Sequence, residues 1–458
     1  MRKLMWFTIG FATAIFAGVY VLSAPFYLMA AGACAVALAI CLGCMVRYPK
    51  IRIASMALFG CLIGFSWLTG FDALYLSVPR VADGTEIECT VYATEYSQAT
   101  DYGNSVEGVV KLNGRHYSVK AYLSDTEEVS PGDQIAGKFS IGSTLPGCSR
   151  ASRGYRSDGI FLIAYSKDVP NITQAEELPW YGYPAFVRME VGNLIDASFP
   201  GDAAPFAKAL LLGDTEDLSY EVDTAFKISG IRHVIAVSGL HVSILFSLIF
   251  VVTGRKSWLA ALIGIPILIF FAAVAGFSPS ITRACIMHGL MAIAMLFKRE
   301  YDPPTALSFA VLTMLVANPW TALSVSFQLS VGCMIGIFLF SEPIKNWLMD
   351  KKRLGKYTGL GKKLASWFSV SVSISVGAVL ITTPLCAYYF GMVSLVSVLT
   401  NLLTLWIVTY VFYGILVVCL AGLIFAPIGL ICGNIVAWPI RYILLVAKSI
   451  ASIPLAAV

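Results

Sequence analysis

The chain has 458 residues, 58% of them hydrophobic and only 13% charged, with a mean hydropathy of +0.77 and a formal net charge of +5. A soluble globular chain carries about 25% charged residues, so these values exclude one. They predict a polytopic α-helical membrane protein, with room for about ten or eleven spans of ~20 apolar residues each. The first apolar run follows Arg2-Lys3. It lacks the short core and small-residue cleavage site of a signal peptide, so it is expected to stay as a span.

The positive charge is gathered in short connectors: Arg2 and Lys3; Arg47, Lys50 and Arg52; Arg255 and Lys256; Lys298 and Arg299; and the stretch from Lys345 to Lys363, with Lys351-Lys352-Arg353 inside it. These alternate with connectors poor in base, which is the positive-inside pattern of a bacterial-type membrane protein. Topology therefore accounts for the basicity without a nucleic acid. Placing the amino terminus in the cytoplasm puts three spans in residues 1–76: Leu4 to Ser23, Phe26 to Val46 and Ile53 to Leu74. The next five run from His233 to Thr253, Trp258 to Ala275, Ile281 to Phe297, Thr305 to Ala317 and Ala322 to Phe340. After Leu364 the serines and Pro384 leave either one span or a re-entrant pair, and two more spans fill Leu395 to Phe425 and Pro427 to Ile453. The expected location is a bacterial cytoplasmic membrane, with the polar segment after the third span outside.

Residues 81–172 read differently. Apolar and polar residues alternate in Thr85 to Tyr92, Val106 to Leu112 and Tyr117 to Leu123, separated by Tyr102-Gly103-Asn104, Asn113-Gly114 and Pro131-Gly132-Asp133. Asn-Gly between alternating runs is a hairpin signal. About five short strands predict a small closed barrel of OB type. Nine of the eleven cysteines fall in spans, where a thiol is a small apolar group; the C-x-x-C at Cys41 and Cys44 reads as helix packing. Cys89 and Cys148 belong to the barrel, and an outside location predicts a disulfide between them. OB barrels bind single strands through basic grooves and stacked aromatics. Acidic residues outnumber basic ones here, and Tyr92, Tyr96, Tyr102, Tyr117 and Tyr122 serve a barrel core as readily as a stack of bases. The one basic-aromatic patch is Arg150, Arg153, Tyr155 and Arg156. Residues 178–230 are amphipathic and too polar to span, predicting two helices at the outer interface.

Residues 231–458 form the second apolar block. It opens on Arg232-His-Val-Ile-Ala-Val-Ser-Gly-Leu-His-Val242, with His233, Ser238, Gly239 and His241 at the mouth of an apolar run. Polar groups at such a position face protein or a wet path and not lipid. On one regular helix His233 and His241 would lie ~80° and ~12 Å apart, so a shared metal ion is not expected. Ser238 lacks the G-x-S-x-G context of a hydrolase, and no Walker A loop is present. No catalytic residue, metal or cofactor is predicted.

Several blocks occur in the order in which the ComEC family of bacterial competence proteins has them. They are Ala209-Leu-Leu-Leu-Gly-Asp214, Phe226 to Gly230, His233 to Val242, Ser278-Pro-Ser-Ile-Thr-Arg-Ala284, Asn318-Pro-Trp320, Ser326-Phe-Gln-Leu-Ser330, Thr383-Pro384, Tyr389-Phe-Gly391 and Ser394 to Asn401. Ser130-Pro-Gly-Asp133 and Arg153-Gly-Tyr-Arg156 are similar to the family's small outer domain. The resemblance implies a DNA internalisation channel that passes one strand across the cytoplasmic membrane. It further implies a DNA receptor, a cytoplasmic motor and a nuclease for the other strand as partners, beside membrane lipid. Many members carry a carboxyl-terminal metallo-β-lactamase-like domain for that nuclease step. This sequence has no H-x-H-x-D-H and only His116, His233, His241 and His288, so a separate nuclease is expected.

Two roles stay open for the motif residues. In one, Ser238 and Gly239 permit a close helix crossing and the histidines bond neighbouring backbone. In the other, His233, Ser238, Gly239, His241, Arg283 and Gln328 line a wet path that meets DNA phosphates, with the Arg283 fork best suited to phosphate geometry. Two readings of other classes compete: a membrane enzyme acting on a lipid-linked or cell-wall precursor, and a nuclease-less scaffold that docks partners.

Overall fold

The computed structural model of the chain describes residues 3–45, 51–100, 103–124, 128–349 and 360–458. Of the residues singled out above, Arg2, Arg47, Lys50, Tyr102, Lys351, Lys352 and Arg353 lie outside the described residues. Among the described residues nine helices are long and apolar enough to cross a membrane, and Gly239–Val252 and Pro303–Ala317 are shorter apolar helices. The protein is a polytopic helical membrane protein with one small β-barrel. The chain divides into two compact units, Met1–Val187 with Asp302–Phe327, and Arg188–Tyr301 with Gln328–Val458.

In the first unit, α1 (Lys3–Tyr20), α2 (Tyr27–Met45) and α3 (Ile51–Phe71) follow the three predicted spans. α1 and α3 meet through small residues. A Cβ at Gly10 would overlap the Ala57 carbonyl, and one at Gly60 would overlap that of Phe7. Between apolar helices, such close backbone approach is the main source of packing energy. The helix continues past Phe71 through a π turn, Asp72–Leu76, into α4 (Ser77–Val81), and so enters the barrel.

The strands are β1 (Thr85–Ala93), β2 (Gln98–Thr100), β3 (Gly103–Leu112), β4 (Arg115–Leu123), β5 (Gln134–Ser143), β6 (Leu162–Ser166) and β7 (Asn171–Thr173). Five of them close in the order β1-β3-β4-β6-β5 and back to β1. Every pairing in the ring is antiparallel except β4 with β6, which is the expected OB-like arrangement. The β3–β4 hairpin turns at Asn113-Gly114, with φ of 48° and 77°, and Leu112 faces Arg115. Positive φ at both central residues is what this two-residue turn demands, and Asn-Gly supplies it at least cost. The alternating inward residues Val91, Val110, Ala121, Ile135, Phe139 and Leu162 make the core. Tyr117 joins them.

The expected disulfide is not formed; Cys89 and Cys148 are free. Cys89 packs on the barrel core, whereas Cys148 packs into a separate cluster with Phe71, Leu145, Phe161 and Trp320. The two thiols serve different apolar clusters, and compartment and pairing by elimination could not reveal that. The crossover from β5 to β6 carries α5 (Arg153–Ser157). Further along, α13 (Pro303–Ala317) ends at Asn318, which caps a 3-10 turn, Pro319–Leu323. Asn318 Nδ2 donates to the carbonyls of Arg156 and Ser157 at 3.0 and 3.2 Å.

The second unit begins with three helices where two were expected: α6 (Tyr183–Ser198), α7 (Ala204–Leu212) and α8 (Tyr220–Ser229). Pro205 at the start of α7 and left-handed Gly213 at its end cut the segment twice. α7 is buried along most of its length, from Ala204 to Leu212, so it is a core helix of its unit and not a surface-lying one. α9 (Arg232–Ile235) and α10 (Gly239–Val252) replace the continuous span expected from His233. Then come α11 (Ser257–Val274), α12 (Pro279–Leu296), α14 (Val325–Leu348), α15 (Leu360–Phe390), α16 (Ser397–Ile424) and α17 (Ala426–Ala451). The segment left open after Leu364 is one 31-residue helix, with Pro384 inside it. Small residues again set the packing: Gly422, Gly429 and Gly433 of α16 and α17 close on Ser198.

Candidate functional site

The motif residues lie where the helix is broken. α9 stops because Ala236 is extended, and Ser238 is extended as well (φ −131°, ψ 177°), which makes it the N-cap of α10. The cap is reciprocal. The Ser238 N–H donates to His241 Nδ1 at 2.9 Å and the His241 N–H donates to the Ser238 carbonyl at 3.1 Å. An Nδ1 that accepts leaves the ring proton on Nε2. That Nε2 is buried with no partner among the described residues, and the ring lies 5.4 Å from that of Phe412. The Ser238 hydroxyl is 3.4 Å from a nitrogen whose lone pair is already used, so the pair is not set up as nucleophile and base. His233 is on α9 and exposed.

Arg283 reaches this cap from α12. Its side chain is 8% exposed, and Nη1 donates to the Ser330 carbonyl on α14 at 3.0 Å. A Cβ at Gly239 would come 2.8 Å from Nη2, so the missing side chain at 239 is what admits the guanidinium. Nε is buried and unpartnered, and among the described residues no carboxylate pairs with the group. The first turn of α10 adds its own partial positive charge, worth roughly half an elementary charge. Cation and helix start repel each other, which makes the spot electropositive and short of an anion.

Two further contacts bound the region. Ser280 Oγ lies 3.1 Å from Ser330 Oγ, and Tyr389 Oη on α15 donates to Gln328 Oε1 at 2.9 Å. The structure thus brings Ser238, Gly239, His241 and Arg283 together and ties Arg283 to α14, the helix of Gln328. Sequence reasoning passed over Ser330, which acts through its backbone carbonyl and so leaves no side-chain signal. It also gave no role to Ser278, Ser394 and Asn401. Each holds a buried polar atom without a partner, as do His241 and Arg283. Their signal was available: polar side chains inside apolar runs.

The basic-aromatic patch of the barrel divides. Arg150 stacks on Tyr165 at 4.7 Å, Tyr165 on Tyr122 at 5.0 Å, and Tyr122 Oη meets Tyr155 Oη at 2.9 Å. Burial, then this hydrogen bond, pushes the Tyr122 hydroxyl above its ordinary pKa. Arg153 is exposed. Arg156 departs from the expected surface position. It is 6% exposed, donates from Nε to the Ser152 carbonyl and lies 4.8 Å over the ring of Trp320. Its charge is spent on holding α5 to the Pro319–Leu323 turn.

No solved structure matches the chain. It is 27% identical over 248 residues to ComE operon protein 3 of Bacillus subtilis (strain 168), covering 53% of this chain and 29% of that protein. It is 30% identical over 196 residues to an uncharacterized protein of Aquifex aeolicus (strain VF5), covering 41% of this chain and 47% of that one. The chain thus spans less than half the length of these two relatives. The model of the family described as Competence protein matches residues 210–458, which hold the capped break, Arg283, Gln328 and more than half the sequence. The chain belongs to the competence protein family, as a ComEC-type member.

Proposed function

We propose that the chain is a DNA internalisation channel of the bacterial cytoplasmic membrane, passing single-stranded DNA along a path that Arg283 and the start of α10 line. The observation that carries this is a buried guanidinium with no carboxylate, beside the positive end of a broken helix. A charged side chain in a membrane helix costs at least ~3 kcal/mol, and a cation without a counter-charge has no structural return. A phosphodiester supplies both the charge and the fork geometry that Arg favours. With 14 residues, α10 rises ~21 Å, less than the ~30 Å hydrocarbon layer. If Gly254-Arg255-Lys256 lies at the cytoplasmic surface, the start of α10 falls inside that layer, as in transporters built on broken helices. The amino terminus would be cytoplasmic and the barrel outside, where exposed Arg150 and Arg153, with Tyr155 beside them, would meet incoming DNA.

In this reading a nuclease degrades the other strand and a cytoplasmic motor supplies the driving force, with a receptor delivering the DNA. The test is internalisation of labelled duplex in a transformable deletion strain that expresses this chain. Wild type restores nuclease-protected label and Arg283→Ala does not, with both proteins inserted. Rescue by both variants would refute the role of Arg283. Rescue by neither would favour a docking scaffold.

A further inference from the structure

A second electropositive feature lies in the first unit, away from the family motifs. A cavity of about 350 Å³ is lined by Leu74 and Tyr75 of the π turn and by Arg115, His116 and Tyr117 at the start of β4. Tyr117 is 5% exposed, and its hydroxyl is buried with no hydrogen-bond partner. Tyr117 belongs to the barrel core and is itself a lining residue of the cavity. Arg115 donates to the Leu74 carbonyl and lies 6.0 Å over the Tyr75 ring. Among the described residues it has no carboxylate partner, and four of its five N–H donors stay open. The nearby acid, Asp72, is already paired with Arg80 at 2.8 Å. Lys111 faces His116 across the hairpin, adding a second cation.

We infer that this cavity binds the phosphate headgroup of an anionic membrane phospholipid. The donors suit a phosphate: a fork, an imidazole and a buried hydroxyl that has no partner among the described residues. Position selects the lipid over other phosphates. The helical stretch Ile51–Val81 is 31 residues long, and ~20 residues suffice to cross the hydrocarbon layer. Counted from Ile51, the helix leaves that layer near Gly70, so Leu74 and Tyr75 stand at headgroup depth. Both are about half exposed, and tyrosine at that depth is the usual interfacial anchor. A lipid so held would fill the seam between the last turns of α3's extension and the first residues of β4, fixing the barrel on the membrane surface.

The test uses the full chain purified in a neutral detergent, with bound phosphatidylglycerol counted by native mass spectrometry against phosphatidylcholine. Wild type is expected to retain phosphatidylglycerol selectively. Arg115→Gln, an exposed position whose change leaves the core intact, should lower that retention about tenfold, the loss expected for one forked charge-assisted contact. Tyr117→Phe keeps the core ring and should lower retention by a smaller factor without lowering the melting temperature. Equal retention by wild type and Arg115→Gln overturns the site. Displacement of phosphatidylglycerol by millimolar inorganic phosphate or by a short single-stranded oligonucleotide overturns the lipid assignment in favour of a free phosphate or a nucleic acid. Resistance to both supports it. DNA uptake enters none of these readouts, so the inference stands or falls separately from the channel.

Discussion

The guanidinium of Arg283 occupies the space that a side chain at residue 239 would need, 2.8 Å from the Cβ position of Gly239. The nearest atom that would be met is the far end of a flexible side chain, and the next, the Ala284 Cβ at 3.3 Å, needs to give by only a few tenths of an ångström, so the protein can fold around an alanine by moving the arginine. Gly239→Ala is therefore a probe of position and not of folding. DNA uptake should fall toward the Arg283→Ala level while membrane abundance and melting temperature stay near wild type. Wild-type uptake by Gly239→Ala would mean that the placement of the guanidinium does not matter.

Ser238 and His241 carry the break itself. Ser238→Ala keeps the two bonds that the Ser238 backbone makes with His241 but removes the side chain's own part in the capping box, worth about 1 kcal/mol. His241→Ala leaves the Ser238 N–H without its acceptor, at a cost of ~1–3 kcal/mol. Differential scanning in detergent should show a larger loss for His241→Ala than for Ser238→Ala. The reverse order would mean that the imidazole is not the acceptor of the cap.

Asn318 and Trp320 hold α5 to the turn that follows α13. Asn318→Ala removes one donor each from the carbonyls of Arg156 and Ser157, which keep the Gly159 N–H and the Thr321 hydroxyl, and Trp320→Ala uncovers a buried guanidinium. Each change is expected to cost ~1–3 kcal/mol, read as a lower melting temperature. Lys at position 156 should not rescue, since it cannot both donate to Ser152 and lie flat on the indole.

The free thiols make a simple prediction. A bridge closing so long a loop would contribute ~4 kcal/mol. With Cys89 and Cys148 in separate clusters, melting temperature should be the same with and without reductant. A clear drop on reduction would show that the bridge forms.

Asp83 sets the acid limit of the barrel. Burial raises its pKa, but hydrogen bonds from the Ser143 N–H, the Ser149 hydroxyl and the Ser149 N–H outweigh that, and the net shift is downward. A carboxyl held below its unfolded value, roughly 4, contributes stability that is present above that value. The contribution is lost as pH falls through the folded pKa. The contribution of Asp83 should therefore be complete above pH ~5 and fall away below it, so the acid decline should be shallower in Asp83→Asn. Identical acid limbs would contradict the assignment.

Much of the architecture was legible because the bilayer and the pleat impose strong periods. Apolar runs marked the helices within a few residues, and Asn113-Gly114 marked the hairpin. The break at Ala236–Ser238 was not legible, because Val-Ile-Ala-Val continues the apolar run and its β-branched residues oppose a helix only weakly; the reciprocal bonds of Ser238 and His241 decide it. Arg156 looked like its neighbours Arg150 and Arg153, and only the indole of Trp320, distant in sequence, turns it inward. The Arg283 contact with Ser330 runs through a carbonyl, which no residue pattern encodes.

The most direct test places a photo-crosslinking amino acid at Ser330, bonded to Arg283 through its carbonyl, or at Gln328 on the same helix, and at Leu262 on α11, 65% exposed, and illuminates cells during uptake of labelled duplex. The account predicts crosslinked label in single-stranded form at 328 or 330, none at 262, and none anywhere in an Arg283→Ala background. Label at 262 but not at 328 or 330, or no crosslink at any site while uptake proceeds, would contradict it.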